Sequence, residues 1–217
     1  MSMAATAYVR IPTKMQRRAL TCSGLIRIRA VVKRIGFLLA NVIGGALIPQ
    51  VRELEVGDTR IVPYDKGYLP LLTRMWNSSG EGVFQRTHLF LLNRFGKKLC
   101  FLMIGANGQL MGFLFFYFQL GELTKRRIHT AFGCIDAKFR GLGYGTILFN
   151  WAYNSFRRVK WIRGICGRYS LSNTATRRLH EATGFRPITT YFDQALQQQR
   201  VYAVYDLRIA QRTIPRT

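Results

Sequence analysis

Apolar residues in this chain recur in two patterns, continuous runs typical of buried strands and a three- or four-residue spacing typical of helices. Two continuous runs, at 99–104 and 110–118, predict a pair of strands that are covered on both faces. Asn107 and Gly108 lie between them and predict a tight hairpin with a type I′ turn. A second hairpin through Gly121 and Glu122 then leads into a predicted strand at 128–135.

The rest of the chain alternates between the same two patterns. Strands are predicted at 59–62, 160–166, 188–192 and 200–207, and helices at 68–76, 87–95 and 145–157. Residues 77–82 are predicted to form a loop because they are Asn, Ser, Gly and Glu. Strands interleaved with helices indicate an α/β (α+β) fold, in which helices flank a mixed sheet on both faces.

A further short helix is predicted near residue 180. Apolar residues at positions 175, 179 and 182 form the stripe of an amphipathic helix. Ser172 or Asn173 is expected to cap its amino end, since both side chains can accept a backbone hydrogen bond there. Gly184 is expected just beyond its carboxyl end, where the left-handed conformation favours glycine.

The first fifty residues differ in composition from the rest of the chain. No Asp or Glu occurs before Glu53, and eight Lys or Arg residues lie between positions 10 and 34. The apolar run at 35–48 that follows is shorter than the roughly 20 residues that a helix needs to cross a bilayer. Residues 1–56 are therefore predicted to be a basic extension with one apolar helix, joined through a linker at 51–57 to a domain at 57–217.

Three interpretations of this extension stay open. A basic helix at 25–48 can lie on an anionic membrane with its apolar side chains inserted. An Arg-rich, acid-poor segment is also typical of organelle targeting or export. In the third interpretation the helix packs against the core or against a second copy of the chain, as in a homodimer.

The charge and composition of the whole chain limit its partners. Of 217 residues, 33 are Lys or Arg and 10 are Asp or Glu, so the formal net charge is +23. This charge attracts polyanions such as nucleic acid, anionic lipid and phosphorylated small molecules. No basic and aromatic recognition motif indicates nucleic acid. An apolar content of 48% excludes a generally disordered chain.

The four cysteines are widely spaced and form no C-x-x-C pair. Neither a zinc site nor a disulfide framework is indicated, so no metal is expected. Three of the four lie in apolar runs, where a thiol behaves as a small buried side chain. These features favour a reducing, cytoplasmic compartment, with peripheral membrane contact through residues 25–48 as the open addition.

A glycine-rich stretch separates the predicted strand at 128–135 from the predicted helix at 145–157. Arg140, Gly143 and Gly145 form an R-x-x-G-x-G pattern there. A helix that begins after such a loop has backbone N–H groups without an intrahelical partner, and its dipole places positive charge at the same end. The pattern therefore predicts a phosphate-binding loop, in which glycines permit positive φ angles and close approach of the anion.

This loop and the segment from Leu171 to Phe185, which runs from an Asn to a Gly-Phe pair, together resemble the GNAT superfamily of acetyl-CoA-dependent acyltransferases. Residues 60–63, the helix after Asp65 and the hairpin at 98–118 agree with the same family, so the resemblance covers about 57–210. The resemblance implies a mostly antiparallel sheet and acetyl-CoA as co-substrate. It assigns the pyrophosphate to the loop, that is, to Arg140, Gly141, Leu142, Gly143, Tyr144, Gly145 and Thr146.

The resemblance also assigns the pantetheine arm and the catalytic groups. Backbone groups of Cys134, Ile135 and Asp136, together with Asn173, are expected to contact the arm. Many members of the family have a Tyr as the acid for the leaving thiolate, and here His180 stands at that position. An imidazolium with a pKa near 6.5 can protonate such a thiolate.

Further catalytic candidates are less closely tied to the family pattern. Tyr144 and Tyr169 are alternative acids. The predicted central strands carry no Glu, so the general base is sought at Glu122 and His129, or at Glu81 in the early loop. Each of these side chains can also be purely structural, and a water chain can replace a missing base.

The predicted function is transfer of an acetyl group from acetyl-CoA to a primary amine in a direct ternary complex. The basic chain favours a small or anionic acceptor such as an amino sugar or nucleotide sugar over a polycation. Aminoacyl-tRNA and protein acceptors are the alternatives. A protein that binds CoA but is catalytically impaired also fits, because the Tyr and the strand carboxylate are absent.

Overall fold

The computed structural model describes residues 14–79 and 84–208, with side-chain surroundings from residue 28 onward. The strands in these ranges are β1 (Leu54–Val56), β2 (Thr59–Pro63), β3 (Cys100–Ile104), β4 (Leu110–Tyr117), β5 (Arg127–Ile135), β6 (Gly164–Ser170), β7 (Arg186–Asp193) and β8 (Gln198–Asp206). The helices are α1 (Lys14–Leu47), α2 (Leu69–Asn77), α3 (Arg86–Leu99), α4 (Leu120–Leu123), α5 (Tyr144–Arg157) and α6 (Thr174–Ala182).

The eight strands form one sheet in the order β1-β2-β3-β4-β5-β6-β8-β7. All neighbours in it are antiparallel except β5 and β6, which are parallel and are joined by the crossover helix α5. The predicted mixed, mostly antiparallel sheet is therefore confirmed.

The core lies on both faces of β3 and β4, as their continuous apolar runs predict. All residues of β3 and nearly all of β4 are buried. On one face Trp76 of α2 stacks on Phe132, with 4.2 Å between ring centroids. On the other face Phe156 of α5 packs edge-on against Phe116 at 4.7 Å. Helices therefore cover both sides of the sheet, and its central strands lie out of reach of solvent.

The turn between β3 and β4 differs from the predicted type I′ turn. Gly108 has a φ of +77°, whereas Asn107 is not among the residues with positive φ. The N–H of Gly108 donates to the carbonyl of Gly105 at 2.9 Å, and the N–H of Gln109 donates to Asn107 Oδ1 at 3.2 Å. This is a type I turn followed by a left-handed glycine. The accompanying register shift at Ile104 accommodates one extra residue.

Three other boundaries differ from the predictions. The connection at Gly121 and Glu122 is the short helix α4, not a tight hairpin turn. The strand predicted at 160–166 is β6 at Gly164–Ser170, because Val159 and Ile162 are buried in helical turns that continue from α5. The predicted linker at 51–57 contains β1, which pairs with β2. Apolar content alone does not distinguish a buried turn from a strand.

Helix α1 is longer than the apolar run at 35–48 suggests. Its 34 residues continue through the basic positions, and Ile28–Leu47 is 20 residues with a mean hydropathy of 1.6. By length and composition this longer segment can cross a membrane, whereas the apolar run at 35–48 alone is too short to do so. The same property is common in core helices and in segments near an amino terminus, so it does not by itself assign α1 to a membrane.

One face of α1 packs on the end of β4. The Asn41 side chain is fully buried, donates to the Phe118 carbonyl at 2.8 Å and accepts from the Phe118 N–H at 2.8 Å. Gly44 lies so close that an added Cβ would be 2.2 Å from the Phe118 ring. Lys98 donates to the Gly45 carbonyl at 3.2 Å. The helix is therefore attached to the sheet through specific contacts.

Candidate functional site

The parallel strands β5 and β6 diverge at their carboxyl ends. They pair only from Arg127 to Thr130 on β5 and from Gly164 to Gly167 on β6. Beyond this point β5 continues beside β4, whereas β6 continues beside β8. A gap therefore opens in the sheet at the edge where α5 and α6 begin, which is where α/β proteins commonly bind ligands.

An irregularity in β5 lies where the gap begins. Phe115 of β4 is opposite Phe132, whereas Phe116 is opposite Thr130, so Ala131 is an extra residue on β5. Such a β-bulge bends the strand and leaves the backbone of the extra residue outside the regular ladder. The divergence of the two strands is thus built into the pairing of β5 with β4.

The glycine-rich loop lies between this gap and α5. Gly141 has a φ of +76° and Gly143 a φ of +82°, and an added Cβ at either would meet nothing within 4 Å. These glycines are therefore required by backbone conformation and not by close packing. Gly145 differs, since it has no positive φ and a Cβ there would be 3.7 Å or more from its neighbours.

The first turn of α5 presents free backbone donors beside this loop. Gly143 caps the helix without a side-chain hydrogen bond, and the first turn contains no acidic residue. The N–H groups of Tyr144, Gly145 and Thr146 belong to the set that has no intrahelical partner. Leu142 is 64% exposed beside them. The loop therefore combines positive φ angles with helical N–H groups that have no intrahelical partner, and its binding of phosphate stays a prediction.

Arg140 is held against the end of β5. Its Nε donates to the Ile135 carbonyl at 2.9 Å, and the residue is exposed. Nearby, the Asp136 N–H donates to the Met111 carbonyl at 2.8 Å, and its carboxylate accepts from the Lys138 N–H at 3.0 Å. Cys134 is half-buried in the same strand end. Cys134, Ile135 and Asp136, three of the four residues predicted to contact a pantetheine arm, thus lie beyond the point where β5 and β6 stop pairing.

Asn173, one of the two predicted caps, is the residue that caps the amino end of α6. Its Oδ1 accepts from the Thr176 N–H at 3.0 Å. Gly184 follows the helix with a φ of +85°, which confirms the predicted termination. The capping bond gives Asn173 a structural role, and its contact with a ligand stays a prediction.

His180 is buried, not half-exposed as a surface histidine would be. It is 4% exposed, stacks on Phe185 at 4.3 Å and lies edge-on to Tyr169 at 4.9 Å. Burial lowers the pKa of His180 to about 4, so the imidazole is neutral at neutral pH. This charge state does not fit the imidazolium acid that sequence analysis predicts. Tyr169, whose pKa burial raises, keeps its proton and borders the gap on β6.

Tyr144, the other alternative acid, lies at the first position of α5. It is partly exposed, and its ring is edge-on to Phe139 at 6.3 Å between centroids. Tyr144 is therefore part of the glycine-rich loop and is accessible there.

Glu122 and His129 belong to one buried cluster at the paired end of β5. Tyr202 donates to Glu122 Oε2 at 2.9 Å, and Arg127 lies 3.9 Å from the same oxygen. His129 Nδ1 is 3.3 Å from the Sγ of Cys166. Burial, followed by the charges of two arginines, lowers the pKa of His129 to about 3. His129 is therefore a weak base in this environment, and the Glu122 carboxylate is engaged by its neighbours.

His88 is a titratable group near the site that sequence analysis did not single out. It stacks on Trp76 at 4.7 Å, and its Nδ1 accepts from the Gln85 N–H at 3.0 Å. Its position is that of the third residue of a helix, so its sequence context alone indicates only a cap. Glu81, the remaining base candidate, lies outside the described residues.

Comparisons with known proteins agree with this geometry. The model of the acetyltransferase (GNAT) family matches residues 69–185. The fold is similar to Ard1 from Thermoplasma volcanium, with 14% identity, a TM-score of 0.59, and 69% of this chain and 97% of that chain covered. It is similar to Arabidopsis thaliana NAA60 in complex with acetyl-CoA, with 14% identity, a TM-score of 0.58 and coverage of 68% and 99%.

A third solved structure is similar to the same extent. The ribosomal-protein-S18-alanine N-acetyltransferase from Escherichia coli has 16% identity and a TM-score of 0.56, with 69% of this chain and 94% of that chain covered. Identities this low support the fold alone. No curated protein matches the sequence significantly.

Proposed function

Because the chain belongs to the GNAT acetyltransferase family, we propose that it transfers an acetyl group from acetyl-CoA to a primary amine. The observation that supports this most is the gap between β5 and β6, with the glycine-rich loop at its edge. The gap accommodates an extended arm between two strands, and the loop presents backbone N–H groups to a pyrophosphate. When bound, acetyl-CoA supplies an activated thioester.

Different residues around the gap bind different parts of acetyl-CoA. The backbone of residues 141–146 holds the pyrophosphate, and the guanidinium of Arg140 adds charge-assisted hydrogen bonds to it. The strand end at Cys134, Ile135 and Asp136 borders the pantetheine arm. Tyr169, whose pKa burial raises, is a protonated donor for the leaving thiolate, and the Tyr144 hydroxyl is the alternative donor.

Transfer is direct and does not pass through an acylated cysteine. Burial raises the pKa of Cys100, Cys134 and Cys166, in the case of Cys166 to about 12. A nucleophilic cysteine needs a thiolate, which requires a lowered pKa. The three cysteines whose surroundings are described are therefore poor nucleophiles, which favours a ternary complex.

The test is release of free thiol from acetyl-CoA on incubation with a panel of primary amines. We expect an amine-dependent rate and a rise in melting temperature with CoA alone. If the protein neither releases thiol with any amine nor shows a thermal shift with CoA, the proposal is wrong. A shift without turnover supports the second candidate, a CoA-binding protein without catalysis, which the neutral, buried His180 and His129 favour.

The position of α1 supports a further proposal on location. We propose that the protein lies at an anionic membrane surface in the cytoplasm through α1. One face of the helix exposes large apolar residues at helical spacing. They are Ile28, Val31, Val32, Ile35, Leu39, Val42, Ile43 and Leu47. Its opposite face carries Asn41 and Gly44, which contact β4. A helix attached along one face suits the membrane surface better than a transmembrane position.

Replacing two residues of the exposed face of α1 tests this location. The double variant Ile35→Glu, Leu39→Glu is expected to lose binding to vesicles that contain phosphatidylglycerol, measured by sedimentation, because two charges then lie in the inserted face. A matched control is Ile188→Glu, Leu196→Glu, which changes two exposed apolar residues on another surface. Equal sedimentation of both variants, or none by the wild type, contradicts the proposal.

A further inference from the structure

A cavity of about 500 Å³ lies between α1, the start of α3 and the end of β4. Its lining includes Lys33 and Arg34 from α1 and Arg86 from α3. Phe37 and Tyr117 form an aromatic wall, with 5.2 Å between ring centroids in an edge-on contact. The cavity is separate from the glycine-rich loop, which belongs to other elements.

The cavity has the charge of an anion site. Three of its lining residues are cations and none is Asp or Glu. Within the described ranges these cations take part in no salt bridge. Two guanidinium groups and one ammonium suit a phosphate, since arginine pairs bidentately with phosphate oxygens.

The packing of α1 determines where its two cations lie. Asn41 and Phe37 are one helical turn apart on the face that contacts β4, and Lys33 and Arg34 are a further turn back. The cations are therefore on the domain side of the helix, whereas its exposed apolar face points away. Because the Asn41 bonds hold α1 in register, the cation pair has a defined place over the cavity.

The cavity also lies close to the gap where the proposed acyl donor binds. Tyr117 on its wall is opposite His129 in the sheet, and His129 is opposite Cys166. The rings of Tyr117 and His129 are 4.9 Å apart, so they lie on the same face. The gap begins one residue beyond Thr130. At about 3.3 Å per residue and 4.8 Å per strand, a small acceptor can reach from the cavity to the gap.

We propose that this cavity binds the phosphate group of a phosphorylated primary amine, which is the acceptor of the acetyl group. The inference rests on the proposed function, and it adds a substrate class and a role for α1. The acceptor's phosphate contacts Lys33, Arg34 and Arg86, while its amine extends along the aromatic wall toward the gap. Basic residues of the amino-terminal extension thus select the acceptor.

Matched pairs of amines test the substrate class. The wild type is expected to acetylate O-phosphoethanolamine and glucosamine 6-phosphate with at least tenfold higher kcat/KM than ethanolamine and glucosamine, because a charge-assisted hydrogen bond is worth about one order of magnitude. β-Alanine carries a carboxylate in place of the phosphate, so it tests whether any anionic amine is preferred. Preference for β-alanine over O-phosphoethanolamine, or equal rates for charged and neutral amines, overturns the proposal.

Variants locate the selectivity. Lys33→Ala, Arg34→Ala is expected to reduce the preference for the phosphorylated amine roughly tenfold to hundredfold, with little effect on the neutral amine. The charge-preserving variant Lys33→Arg, Arg34→Lys is expected to keep most of the preference for the phosphorylated amine. Arg29→Ala removes one exposed charge from the same helix outside the cavity and is the matched control. If Arg29→Ala lowers the preference as much as the double variant, the overall positive charge of the protein attracts the phosphorylated amine. The proposed phosphate site in the cavity is then wrong.

Failure of this inference is distinguishable from failure of the proposed function. Thiol release from acetyl-CoA with neutral amines, and the thermal shift with CoA, report on the acetyltransferase alone. If both are present and the phosphorylated amines have no advantage, only the acceptor site is wrong. If both are absent for every amine, the proposed function is wrong, and the acceptor site falls with it.

Discussion

Gly143→Val is expected to weaken CoA binding by between about tenfold and a few hundredfold. Gly143 has a φ of +82°, a conformation that a β-branched residue reaches only with strain. The loop therefore relaxes, and the N–H groups at the start of α5 leave the positions that suit a pyrophosphate. Loss of one or two charge-assisted hydrogen bonds accounts for this range. Isothermal titration with CoA measures it.

The control for this change lies two residues further along the same loop. Gly145→Ala adds a methyl group at a position without positive φ, where the nearest atoms are 3.7 Å or more away. We expect its CoA affinity to stay within about twofold of the wild type, since neither backbone strain nor steric overlap results. A Cβ at Gly143 meets nothing within 4 Å, so that variant should still fold. Wild-type affinity in Gly143→Val would show that the loop does not hold CoA.

Asn41→Leu is expected to lower the free energy of unfolding by about 2–6 kcal/mol. The fully buried Asn41 side chain satisfies both the N–H and the carbonyl of Phe118, each at 2.8 Å. Leucine has a similar volume but no polar atoms, so two buried backbone groups lose their partners at about 1–3 kcal/mol each. At roughly 2–4 °C for each kcal/mol in a chain of this size, the melting temperature should fall by roughly 4 to 24 °C.

The neighbouring exposed position provides the control for Asn41. Ile43→Ala changes a residue that is 51% exposed on the other face of α1, and its effect should stay below about 1 kcal/mol. Hydrogen exchange along α1 adds a local measurement, because loss of the Asn41 bonds should release this helix first. If Asn41→Leu has the melting temperature of the wild type and its α1 amides exchange hydrogen equally slowly, the attachment of α1 does not depend on these bonds.

The elements that sequence analysis predicted well are those with a strong local signal. The continuous apolar runs of β3 and β4 required cover on both faces, which the structure confirms. The end of α6 at Gly184 follows from conformational preference alone. The glycine-rich loop was found from the R-x-x-G-x-G pattern of Arg140, Gly143 and Gly145, and the structure shows that Gly141 and Gly143 are the glycines with positive φ.

The predictions that failed depended on distant contacts. Val159 and Ile162, the buried apolar residues just before β6, fill space beside the sheet and do not form a strand. The environment of His180 depends on Tyr169 of β6 and Phe149 of α5, together with Phe185 just after α6. No local pattern shows that an imidazole will be buried among such rings and will stay neutral.

Sequence alone determined the family, the class of fold and the loop that suits a pyrophosphate, because each depends on residues close together in the chain. Only the tertiary structure decided the rest. Pairing of β5 with both β4 and β6 opens the gap, and the bonds of Asn41 to β4 bring Lys33 and Arg34 to the cavity. Strand pairing and buried contacts join residues up to about 80 positions apart, and local preferences do not encode them.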